Sequence, residues 1–153
     1  MVYVKHIRKM YNPNAGLKDL SMKIHKREVI ALIGHNGSGK STALSILAGI
    51  NKPDSGTCLL NKRPTFDSDT KKYIGFLEET PFMYEDITII DYLNFVWGVK
   101  YSGFENKEVY RMLKKFNLLE IKDKKIKKLS QGLRKRVGII SAMMNYPPFI
   151  ILD

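Results

Sequence analysis

Hydrophobic and polar positions alternate from the start of the chain, where Val2–Ile7 has the two-residue period of a half-buried strand. A turn cluster, Tyr11-Asn12-Pro13-Asn14-Ala15-Gly16, follows, and Leu20–Ile24 reads as a second strand. Val29–Ile33 is apolar without interruption, the pattern of a strand covered on both faces in a parallel sheet. A glycine-rich loop leads from it into a helix expected from Ser41 to about Ala48, with Gly49 placed to cap it and Pro53 beyond. Thr57–Leu60 and Tyr73–Leu77 read as further strands. From Thr88 the period becomes helical. Thr88-Ile89-Ile90-Asp91 resembles a capping box with Asp in place of Glu, opening a helix to about Val99. A second helix is expected over about 106–116, with Val109, Met112, Leu113 and Phe116 on one stripe. Ser130 is a good N-cap for a third helix, which must end before Pro147-Pro148, and Phe149–Leu152 is a last apolar strand ahead of Asp153. Strands flanking a helical insertion predict an α/β core with a helical subdomain.

Composition changes this picture little. The 153 residues are 44% hydrophobic and 27% charged, which suits one globular domain with its own core. No apolar run approaches the roughly 20 residues of a spanning helix, and the amino terminus lacks the apolar core of a secretion signal. A single cysteine, Cys58, rules out an internal disulfide and fits a cytosolic setting. Charge is less even. Of the net +11, an excess of nine falls between Lys107 and Arg136, where twelve Lys or Arg face Glu108, Glu120 and Asp123. Such a stretch is a solvated helical face, or a surface for nucleic acid or an anionic membrane.

The chemistry begins at the loop. Gly34-His35-Asn36-Gly37-Ser38-Gly39-Lys40-Ser41 matches G-x-x-x-x-G-K-[ST], after an expected strand and before an expected helix. Glycines let the backbone bend so that successive N–H groups point at phosphate oxygens, and the helix dipole adds to that field. This predicts a site for ATP with Mg²⁺, Lys40 reaching the β- and γ-phosphates and the Ser41 hydroxyl ligating the metal.

Several further segments resemble the nucleotide-binding domain of ATP-binding cassette (ABC) proteins, in order, across essentially the whole chain. Leu129-Ser130-Gln131-Gly132-Leu133 resembles the family's LSGGQ signature, with Ser130 and Gly132 matching and Gln131 and Leu133 departing from it. Phe149–Asp153 resembles the Walker B strand, and Ile74–Glu79 the segment that ends in the Q-loop glutamine, here Glu79. Tyr11 stands where the family has an aromatic that stacks on adenine.

The resemblance implies an α/β P-loop core with an N-terminal antiparallel β subdomain and a helical insertion. It divides the chain into an ATP-binding core, 1–78 with 146–153, and a Q-loop and helical subdomain, 79–145. It implies nucleotide contacts from Tyr11, Gly34, Asn36, Gly37, Ser38, Gly39, Lys40, Ser41 and Thr42. Ser130 and Gly132 would serve the nucleotide of a second such domain in a head-to-tail dimer. Catalytic roles fall to Lys40, Glu79 and Asp153, and metal contacts to Ser41, Glu79 and Asp153.

Function follows as an expectation: the ATP-binding subunit of an ABC transporter, driving a membrane-spanning permease from the inner face of the membrane. Glu79 in the glutamine's place points to the exporter-type branch. Two other readings are a soluble ABC-type ATPase acting on nucleic acid or ribosomes, recommended only by the basic stretch 122–128, and a degenerate regulatory cassette. In the family a catalytic Glu follows the Walker B Asp, then the D-loop, another strand and a switch histidine. The sequence is therefore expected to lack a carboxyl-terminal segment, to leave a gap in the parallel sheet, and to hydrolyse ATP poorly alone.

Overall fold

The computed structural model describes residues 1–101 and 107–153, and the chain divides into two compact units, Met1–Tyr73 with Asp153, and Ile74–Leu152.

In the first unit, β1 (Val2–Asn12) and β2 (Ala15–Ile24) form an antiparallel hairpin with Asn12 opposite Ala15. The expected six-residue turn is tighter than its composition suggests: only Pro13 and Asn14 lie outside the strands, and the Asn12 side chain accepts a hydrogen bond from the Asn14 N–H at 2.9 Å. β3 (Ser55–Leu60) pairs with the other edge of β1, and the short β4 (Arg63–Pro64) completes a sheet of order β2-β1-β3-β4. Val2, Val4, Ile7, Leu17, Cys58 and Leu60 are buried, the periodicity of one covered face.

α1 (Lys40–Leu47) lies against β2 and buries Ala43, Ile46 and Leu47. Gly49 ends it in the left-handed region at φ +73, where a Cβ would stand 2.1 Å from the Thr65 carbonyl oxygen, so only glycine fits. A single turn, α2 (Ser68–Lys71), capped by the Asp67 side chain, was not foreseen from the sequence; four residues carry no periodic pattern.

The expected strand at Val29–Ile33 does not form. Those residues belong to no strand, and Val29 and Ile33 are 99% and 90% exposed. The apolar composition suggests a segment suited to burial, and the structure leaves most of it exposed. A strand, however, exists only when a neighbour takes up its N–H and C=O groups, and among the described residues none does.

In the second unit, β5 (Ile74–Leu77) pairs in parallel with β6 (Phe149–Leu152), Ile74 opposite Phe149 and Leu77 opposite Leu152. Parallel pairing requires a long crossover. It is supplied by α3 (Ile89–Tyr101), α4 (Lys107–Lys115) and α5 (Gln131–Met143), with single 3-10 turns at Leu119–Ile121 and Ile126–Lys128. Thr88 caps α3 as the sequence suggests, its hydroxyl oxygen accepting the Asp91 N–H at 3.2 Å. Val109, Met112 and Leu113 of α4 are fully buried, while the expected start of that helix at Asn106 lies outside the described residues. Their cluster includes Leu93, Leu118, Ile126, Val137 and Ile140, a core of this unit's own.

Candidate functional site

The loop between the exposed run and α1 has the form its motif requires. Gly37 and Gly39 take φ of +82 and +92, which turn the chain back toward the helix axis. The Ser38 N–H donates to the His35 carbonyl at 3.2 Å and closes the bend. Gly39 is the N-cap of α1, and it has no side chain with which to cap. The first N–H groups of α1 therefore carry no side-chain acceptor, and no acid stands in the first turn. That combination presents donors and a positive dipole end, which suits phosphate.

Lys40 places a full positive charge at this helix start. Its ammonium donates to the carbonyls of Gly34 and His35 at 2.8 and 2.9 Å, folding the side chain back over the loop. Asn36 and Ser41 are exposed, and Thr42 is half-buried. Thus Gly34 through Thr42 form one continuous feature, as the motif implies.

The hairpin closes on this loop. A Cβ placed on Gly39 would stand 2.8 Å from the Gly16 carbonyl oxygen and 3.1 Å from the Leu17 Cα. Tyr11, near the end of β1, is 57% exposed. Its hydroxyl accepts a hydrogen bond from the Asn51 side-chain amide at 3.1 Å. One residue before Tyr11, the Met10 N–H donates to the Asp54 carboxylate at 2.9 Å, which also accepts from the Lys9 ammonium at 2.8 Å. Those two donors, Lys9 first, hold the Asp54 carboxyl below the usual carboxylate range. Asn51 and Asp54 were not singled out from the sequence. No motif contains them, and only the packing of residues 51–54 beside β1 reveals them.

Ser130 is the N-cap of α5, its Oγ accepting from the Leu133 N–H at 3.4 Å. Gly132 faces open space, with no atom within 4 Å of where a Cβ would stand, and both residues are exposed. Glu79 lies exposed just after β5, and Asp153 directly follows β6. Among the described residues no group of three His, Cys, Asp or Glu could hold a metal by itself. A metal here would rely on phosphate oxygens together with one or two oxygen donors from the protein, the habit of Mg²⁺. The donor types at Ser41, Glu79 and Asp153 fit that ion.

These features define a phosphate-binding domain of the P-loop type. The family model described as ABC transporter matches residues 17–153, and the chain belongs to that family. It is 30% identical over its full length to the SkfA peptide export ATP-binding protein SkfE of Bacillus subtilis (strain 168), covering 65% of that protein. It is 32% identical to the lantibiotic transport ATP-binding protein SrtF of Streptococcus pyogenes, again over its full length and 66% of the relative. Among solved structures, an ATP-binding subunit of an ABC transporter superposes over the full chain and 65% of its own, with TM-score 0.86 and 27% identity. The cassette MJ0796, solved as a dimer in a post-hydrolysis state bound to ADP and Pi, superposes over the full chain and 73% of its own, with TM-score 0.86 and 28% identity. The chain thus spans about two thirds of the length of these relatives, and the α/β P-loop fold with an antiparallel β subdomain is that of the family.

Proposed function

We propose that this chain is the ATP-binding part of an exporter-type ABC transporter. It binds Mg-ATP on Gly34–Thr42, closes around it as a head-to-tail dimer and, in the whole protein, drives a membrane-spanning permease. One observation carries the reading: a helix start without a side-chain cap, preceded by a loop that Gly37 and Gly39 bend through positive φ and charged by Lys40. The exporter branch is supported by Glu79 in the glutamine's position and by the peptide-export and lantibiotic-transport relatives. No helix among the described residues is long and apolar enough to cross a membrane. The protein would then work at the inner face of the membrane.

In this reading 1–78 with 146–153 is the nucleotide core and 79–145 the helical subdomain. Mg²⁺, bound with ATP, neutralises charge on the β- and γ-phosphates. Ser41 and Asp153, with Glu79, would hold it. Lys40 holds the phosphates, Tyr11 supports the base, and Ser130 and Gly132 of one copy face the nucleotide of the other. α5 suits that last role: no acid stands in its first turn, and Lys135 and Arg136 follow, so the positive dipole end at Ser130 is not offset by an acid of that turn.

Two features among the described residues support a further strand supplied from outside residues 1–153: Val29, Ile30 and Ile33 are exposed in a run that joins no strand, and β6 pairs with β5 alone. Residues 1–153 alone would accordingly turn ATP over poorly. In the basic stretch 122–128, two of the five lysines are held in ion pairs. Lys122 pairs with Asp123 and Lys127 with Asp86, and Arg134 beyond it pairs with Glu85. Copurification of the natural protein with a membrane subunit tests the transporter reading, and RNA bound in a salt-sensitive manner instead would overturn it.

A further inference from the structure

We infer that Asn51 is a positioning residue for the base end of the nucleotide, holding the Tyr11 ring in register with the phosphate loop. The inference rests on the reading of Tyr11 as the surface that supports the base. Its basis is a chain of hydrogen bonds within the first unit. The Asn51 amide donates to the Tyr11 hydroxyl at 3.1 Å and to the Ser45 Oγ at 3.0 Å. Ser45 in turn donates from its hydroxyl to the Thr42 carbonyl at 2.9 Å, inside the first turns of α1.

The directions of these bonds are forced. Ser45 has one hydroxyl hydrogen, and it is committed to Thr42, so the group facing its oxygen must be a donor. That fixes the amide with its NH₂ toward Ser45 and Tyr11, and both N–H groups are then used. Asn51 is itself held from behind, since its backbone N–H and that of Ile50 both donate to the Ser45 carbonyl, at 3.2 and 2.9 Å. A fixed amide therefore grips the outer end of an exposed ring, while Asp54 grips the Met10 N–H one residue before it. Among the described residues the ring stacks on no other aromatic, and these bonds tie down its hydroxyl end. A stacking surface gains affinity when it is held in its bound orientation beforehand.

The consequence is specific to ligands that carry a base. Loss of the amide should free the ring while leaving the phosphate loop intact. The test is calorimetry of Mg-ATP and of Mg-tripolyphosphate, which lacks a base, on the full natural chain and on Asn51→Leu, Tyr11→Phe, the double variant and Tyr11→Ala. The inference predicts that Asn51→Leu and Tyr11→Phe each weaken ATP about two- to tenfold, the cost of ordering one freed side chain on binding. The double variant should lose no more than Asn51→Leu alone, because the bond to Tyr11 is already gone in it. Tripolyphosphate affinity should not move. If Asn51→Leu folds poorly, Tyr11→Phe, which removes one hydroxyl, carries the test alone. Equal losses for ATP and tripolyphosphate would overturn the inference, showing that Asn51 acts through α1. So would unchanged ATP binding in Asn51→Leu and Tyr11→Phe when Tyr11→Ala weakens it, which leaves the base reading standing. Unchanged ATP binding in Tyr11→Ala would sink that reading together with the inference.

Discussion

The backbones of Gly39 and Gly16 approach so closely that a Cβ on Gly39 would stand 2.8 Å from the Gly16 carbonyl oxygen. Gly39 also holds φ +92, a conformation side chains resist. Gly39→Ala must therefore meet both strain and overlap with rigid backbone. A loss of about 2–4 kcal/mol is expected, combining left-handed strain with overpacking. Chemical denaturation would read it. Gly37→Ala is the comparison, because its Cβ would meet nothing within 4 Å, and it should lose only the smaller strain contribution.

Ser130 separates a structural role from a proposed binding role. Its cap bond to the Leu133 N–H is long, at 3.4 Å, so Ser130→Ala should lower stability by no more than about 1 kcal/mol. If Ser130 meets the nucleotide of a second copy, the same change should weaken ATP-dependent dimerisation at least tenfold. Sedimentation with ATP and with ADP would distinguish the two. A thermal shift with unchanged dimerisation would leave Ser130 only a cap.

The Asp54 brace predicts a pH dependence with a definite sign. Its carboxyl is depressed by Lys9 and the Met10 N–H, so the folded chain holds it ionised more firmly than the unfolded chain does. Its contribution is present above the unfolded value near about 3.9 and is lost as pH falls through the lower folded value. Unfolding measured from pH 6 to pH 2 should show a steeper acid limb for the native chain than for Asp54→Asn. Parallel curves would remove the brace from the account.

Much of this was legible in the sequence because the relevant signals are local. The phosphate loop, the caps at Thr88 and Ser130, the Gly49 stop and the stripe Val109–Met112–Leu113 each depend on residues within one or two turns. Val29–Ile33 failed for the opposite reason. Its composition speaks for burial, but pairing depends on residues far away in the chain. Tyr11 could be placed from its resemblance to the family's aromatic, yet nothing near it in sequence points to Asn51, forty residues on. The expected turn at Tyr11–Gly16 came out as two residues, since Asn and Gly favour turns without saying how many neighbours join them.

The unpaired run gives its own prediction. In residues 1–153 alone, the amides of Val29–Ile33 should exchange with solvent rapidly, as exposed backbone does. In the natural protein, if a further strand takes up their hydrogen bonds as proposed, they should be slowed by orders of magnitude. Fast exchange in both would remove the argument for that strand.

The central claim is that Gly34–Thr42 holds the phosphates of ATP, and calorimetry of Mg-ATP on the natural chain beside Lys40→Ala tests it most directly. The account predicts saturable binding that falls at least about tenfold in the variant, in keeping with loss of a charged hydrogen bond. Cooperative unfolding should persist in the variant. Equal binding by both proteins, or none by a native chain that unfolds cooperatively, would contradict it.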